Sequence, residues 1–110
     1  LVEKVYGICQ QVETEVVQVK WEEIGNRPAG EIPENHPLVK LAAGNLHRQN
    51  LEPRLGIGST DANIPLSRGI PTITIGLSTG NGAHTVHEYI HTALLDKGME
   101  ALLGVVTGLA

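Results

Sequence analysis

Phenylalanine is missing from the 110-residue sequence, tryptophan occurs once and tyrosine twice, so any hydrophobic core must be aliphatic. Cysteine is nearly as scarce. A lone Cys9 excludes an intrachain disulfide framework and a cysteine-rich zinc module, and it suits a reducing compartment such as the cytoplasm. No apolar run approaches the roughly 20 residues that span a bilayer, and no charged-then-apolar secretory pattern occurs. Basic residues are in deficit: eight Lys and Arg against twelve Asp and Glu leave a formal charge of -4. That balance argues against a phosphate-tracking surface, and so against nucleic acid as a partner. What remains is a folding composition, 41% hydrophobic and 18% charged, at a length that suits one domain. The chain opens on Leu1 rather than Met, which reads as a piece of something longer.

Periodicity predicts an α/β order of elements. Leu1 or Val2, Val5 and Cys9 fall at helical spacing, as in the last turns of a helix. Residues 12–24 (VETEVVQVKWEEI) alternate and are rich in Val, which predicts a long strand. Gly25 to about residue 36 carries turn chemistry and prolines, and is the best candidate linker. A helix capped by Asn35 or His36 and opened by Pro37 should run to about Asn50, with Leu38, Leu41, Ala42 and Leu46 as its apolar positions. Ser59, Thr60 and Asp61 offer caps for a short helical turn over 62–67, which Pro65 keeps short. Residues 70–75 (IPTITI) read as a central β-strand. A Gly-rich loop over 77–83 follows, and then a helix over 93–109 with Leu95, Met99, Leu102, Leu103 and Val106 on one face.

The chemistry-bearing residues gather after the IPTITI run, where His84, His87, Glu88 and His91 follow Gly80-Asn81-Gly82. In α/β sheets ligands collect outside the carboxyl ends of strands, and this loop leaves such an end. Imidazole is a common metal ligand, and a nearby carboxylate can orient its second nitrogen. If the segment is helical, positions 84, 87, 88 and 91 share one face and make a self-contained zinc site. The plainer alternative is a surface loop with solvated histidines.

The string GSTDANIPLSRGIPTITIG, followed by GNGAHTVHEYI, resembles the C-terminal part of the co-catalytic zinc exopeptidases. That family includes peptidase T, the aminoacylases, glutamate carboxypeptidase and succinyl-diaminopimelate desuccinylase. The likeness runs from about residue 37 to 110 as a helix, a G-[ST]-[ST]-D-A motif, a G-I-P strand and a Gly-rich loop with His four residues before Glu. It implies a sheet with flanking helices over 33–110, preceded over 1–32 by the last helix and strand of a lid or dimerisation domain. It also implies hydrolysis of an amide bond in a small peptide or N-acyl amino acid, two zinc ions (or cobalt or manganese), and a homodimer formed through the lid strand. By position, the resemblance makes His84 a metal ligand, and Asp61 and Glu88 supporting acids behind the ligands. Thr60, Asn63, Gly82 and Arg54 become substrate-binding residues, and His87 and His91 incidental. The family's remaining ligands and its general-base Glu belong to upstream motifs that this chain does not contain. One histidine cannot hold a catalytic zinc, so the chain alone should be inactive.

Each of these residues has a simpler reading. Asp61 can favour a helix N-terminus through the dipole, Ser59 and Thr60 can be caps, and Asn63 can close a turn before Pro65. His36 and His47 read as solvated bystanders, Cys9 as a small core residue, and Trp21 as local packing or an interface residue. Glu13, Glu15, Glu22 and Glu23 read as a solvated strand face. A non-catalytic alternative makes the chain an α/β interaction module whose 12–24 strand pairs edge to edge with a second copy.

Overall fold

A computed structural model of the chain describes residues 1–109. The best-packed elements are two helices distant in sequence. Helix α2 (Pro37–Arg48) starts where Pro37 occupies a first-turn position that needs no N–H. The His36 Nδ1 accepts the Leu38 N–H at 3.1 Å and caps it, so His36 is a structural residue and not a bystander. The helix stops at Gln49, followed by Asn50 at φ 57°, a left-handed position that asparagine tolerates.

Helix α4 (Leu95–Gly108), entered through a 3-10 turn over Thr92–Leu94, lies against α2. Small residues make the contact: Ala42 of α2 with Ala101 and Val105 of α4 are buried, while Gly98 of α4 is buried against the Leu77 backbone. This corrects the apolar stripe expected for the last helix. Leu95 and Leu102 are half-buried, but Met99, Leu103 and Val106 face outward, because the side that meets α2 is the one with the least side-chain bulk. Gly104 shows why. A Cβ built there collides with the Asn45 Oδ1 atom. Asn45 is itself buried, its Nδ2 donating to Leu41 O at 2.9 Å and its Oδ1 accepting from Arg48 Nη1 at 3.1 Å. A glycine that costs a helix about 1 kcal/mol is here the condition for close approach.

The other elements are short or stand alone. Among the described residues helix α1 (Val2–Gln11) packs against no other helix or strand and buries no residue. Its Tyr6 ring stacks on Trp21 with centroids 4.0 Å apart, which gives Trp21 the packing role expected of it, although more than half of its surface stays exposed. Helix α3 (Asn63–Ser67) is the short turn expected before residue 70. Strands β1 (Gly80–Asn81) and β2 (Tyr89–Ile90) form an antiparallel ladder, Gly80 opposite Ile90 and Asn81 opposite Tyr89. Sequence patterning misses this ladder, since Gly and Asn are depleted in strands.

Two expected strands are not formed. Residues 12–24 contain a local turn, in which Thr14 N–H donates to Val17 O at 3.0 Å and Val17 N–H to Thr14 Oγ1 at 3.1 Å, and no ladder follows. Residues 70–75 likewise pair with nothing among the described residues. A strand is stabilised by the backbone groups of a neighbour, and these 109 residues supply none in either place. The fold is therefore mixed, helices with one small two-stranded sheet, and its core is thin. The chain exposes 9207 Å², against about 5,900 Å² for a compact protein of this mass. Its radius of gyration is 20.0 Å, against about 13 Å for a compact chain of similar length.

Candidate functional site

The sequence-predicted residues fall in two places. The first is the loop over 82–88 that joins β1 to β2. Its entry is set by Gly82 at φ 71°, where an added Cβ would meet the His87 carbonyl oxygen at 2.8 Å. The Gly82 N–H donates to Asn81 Oδ1 at 2.6 Å, and the Gly82 carbonyl accepts from both Thr85 N (3.1 Å) and Thr85 Oγ1 (2.7 Å). His84 follows in the left-handed region, φ 65°, one of two non-glycine residues so placed among the described residues. Its N–H donates to Glu88 Oε2 at 3.2 Å. The His84 ring makes no hydrogen bond among the described residues and is exposed, so both ring nitrogens are open to a ligand.

His84 and Glu88 thus meet as their spacing suggested, but through the main chain of the histidine and not its ring. The helical version of this segment is corrected. Residues 84–91 form no helix, and no group of three or more His, Cys, Asp or Glu among the described residues is arranged to hold a metal. His87 is exposed, and His91 stands edge-on to Tyr89 at 5.3 Å between ring centroids.

The second place is an open groove of about 1000 Å³ between α2, α3 and the extended 53–58 and 72–76 segments. Arg54, Thr60 and Asn63 line it together, and Gly82 and His84 do not. Here the turn reading of Asn63 holds and the capping reading of Ser59 and Thr60 does not, since α3 has Ala62 at its N-cap and no side-chain cap bond. Thr60 N–H donates to Asn63 Oδ1 at 2.8 Å, Ala62 N–H donates to Thr60 Oγ1 at 3.2 Å, and Asn63 Nδ2 donates to Pro28 O at 3.1 Å. Asn63 therefore has both halves of its amide engaged, and it ties the 25–36 linker to α3. Ser59 accepts from Arg27 Nη1 at 3.1 Å, and Asp61 is exposed in the turn. Thr74, which sequence reasoning passed over, donates through Oγ1 to Thr60 Oγ1 at 3.0 Å. Its place in an alternating run of threonines and isoleucines was the signal available.

The sequence profile of Peptidase family M20/M25/M40 matches residues 3–108, nearly the whole chain. The chain belongs to this family. Neither a curated protein nor a solved structure matches it. Peptidase family M20/M25/M40 consists of hydrolases of metallopeptidase type, and the resemblance seen in the sequence stands at that level. The residues present fit one ligand's share of a metal site: an exposed imidazole, unengaged at both nitrogens, on a hydrogen-bonded turn. They do not make a complete one. No helix among the described residues of this M20/M25/M40 chain is long and apolar enough to cross a membrane.

Proposed function

We propose that this chain is part of a zinc-dependent exopeptidase or amidohydrolase acting in the cytoplasm on small peptides or N-acyl amino acids. When bound, a pair of metal ions supplies an activated water and polarises the scissile carbonyl, and cobalt or manganese can serve in place of zinc. Within this scheme His84 is a metal ligand, and Glu88 and Asp61 support the site from behind. Thr60 and Arg54 wall the substrate from the groove, which Asn63 orders through Thr60 and Pro28, and Gly82 does so from the separate β1–β2 loop. The general base and the remaining ligands lie outside this chain, which is inactive alone. The observation that carries the reading is the state of His84, a ring free at both nitrogens on a turn closed by its own hydrogen bonds.

Two further assignments go with it. Residues 1–32 belong to a lid or dimerisation unit and 33–110 to the catalytic unit, a division supported by the isolation of α1 from every other helix and strand among the described residues. A homodimer formed through the 12–24 segment is supported by Val12, Val16, Val17, Trp21 and Ile24, all exposed. The same exposure favours the second reading, in which the chain is a non-catalytic interaction module.

The test uses the longer protein that carries this sequence, assayed with and without zinc on dipeptides and N-acyl amino acids. Zinc-dependent hydrolysis that falls at least about 100-fold in His84→Ala, with the fold retained, is the expected result. Unchanged turnover in that variant removes His84 from the metal site. Absence of hydrolysis on every substrate, together with concentration-dependent self-association, replaces the enzyme by the module.

A further inference from the structure

We propose that Thr85 and Glu88 are positioning residues that hold the His84 backbone in its left-handed conformation and so aim its imidazole at a metal ion. This rests on the reading of His84 as a ligand. A non-glycine residue at φ 65° is disfavoured by contact of its Cβ with the backbone, and it persists only where its surroundings over-determine it. Here they do so from two sides. The Thr85 hydroxyl donates to Gly82 O at 2.7 Å and accepts from His87 N at 3.2 Å, so one side chain clasps the backbone before and after His84. The Glu88 carboxylate takes the His84 N–H itself, while the Glu88 N–H donates to Thr85 O at 3.2 Å. Both residues act on the main chain and leave the imidazole free. The β1–β2 ladder anchors the two ends of the loop, with His91 N–H donating to Thr79 O at 2.8 Å just outside it. The direction of the His84 Cα–Cβ bond is thereby set relative to the hairpin before any metal arrives, which lowers the ordering cost of ligation.

The experiment is an NMR comparison of the longer protein that carries this sequence, labelled, with its Thr85→Val, Thr85→Ser, Glu88→Ala and Glu88→Gln variants, using Co2+ alone as the probe. Unchanged α2 and α4 resonances establish that each variant is folded. Thr85→Val and Glu88→Ala should speed exchange of the His84 amide about 2- to 10-fold. They should also raise the Co2+ concentration that broadens the His84 ring resonances by about 10- to 100-fold. Thr85→Ser and Glu88→Gln, which keep the bonding oxygens, should restore both quantities. Unchanged exchange in Thr85→Val and Glu88→Ala overturns the proposal. Faster exchange with an unmoved Co2+ response also overturns it, reducing the braces to loop structure. If Co2+ broadens wild-type His84 no more than the exposed His47, the ligand reading fails and the positioning role with it. In that event the exchange data still report the braces, so the two failures are told apart.

Discussion

The α2–α4 pair and the two segments expected as strands are built on opposite logics. The helices satisfy their own backbone groups and need a partner only for their side chains, and each finds one in the other: Ala42 and Asn45 on α2, Ala101, Gly104 and Val105 on α4. The β-branched runs over 12–24 and 70–75 need a neighbour's N–H and C=O groups before they become strands, and none is within reach. The difference teaches where this chain is self-sufficient. Its core is a seam of small residues closed from within. Its Val- and Ile-rich segments are surfaces waiting to be covered, which is why the exposed area exceeds that of a compact protein of the same mass.

The seam is the place where one substitution should do most damage. Gly104→Ala places a methyl group on the Asn45 amide, which cannot swing aside without losing its bonds to Leu41 and Arg48. The change should cost about 1–3 kcal/mol in urea unfolding, even though alanine favours a helix over glycine by about 1 kcal/mol. In an Asn45→Ala background the clash is gone and the same substitution should stabilise, a sign reversal that a double-mutant cycle reads directly. Stabilisation by Gly104→Ala alone would mean that the helices do not approach as closely as described. A smaller effect is expected at the mouth of α2. His36→Ala removes the acceptor for Leu38 N–H and should cost about 0.5–2 kcal/mol, whereas His36→Asn, which also caps, should be nearly neutral. Equal losses in both variants would assign His36 a role other than capping.

The same contrast explains what could be read from sequence. Helix boundaries were legible because their signals are local: Pro37 after a capping side chain, Asn50 past the end, and Thr60 with Asn63 around the short turn before Ile70. The buried face of α4 was not, because hydropathy ranks Met99 and Leu103 above glycine, while close approach selects Gly104 against Asn45 of α2 and Gly98 against the Leu77 backbone. At the site, the spacing of His84 and Glu88 announced their meeting but not its form, an N–H to carboxylate bond that sets backbone conformation. Thr85 gave no signal, since a hydroxyl beside a histidine is ordinary in any loop. The separation of Arg54, Thr60 and Asn63 from Gly82 and His84 was hidden as well, since linear order says nothing of which segments share a groove.

The smallest expected effect is the sharpest probe of the comparison. Ile73 sits in the middle of the expected 70–75 strand, and its N–H makes no hydrogen bond among the described residues. Proline in a central strand removes a ladder bond and is excluded from such positions. In this chain there is no ladder to lose. Ile73→Pro should therefore cost no more than about 1 kcal/mol, the packing of one half-buried side chain. In the longer protein the covering neighbour should be present, and the same substitution should cost about 3 kcal/mol or more, as proline does where a backbone hydrogen bond is lost. A large loss in both proteins would show that residues 70–75 find a partner within the chain itself. A negligible loss in both would show that the β-branched pattern marks no strand at all, and that its isoleucines serve only to line the groove beside Thr60.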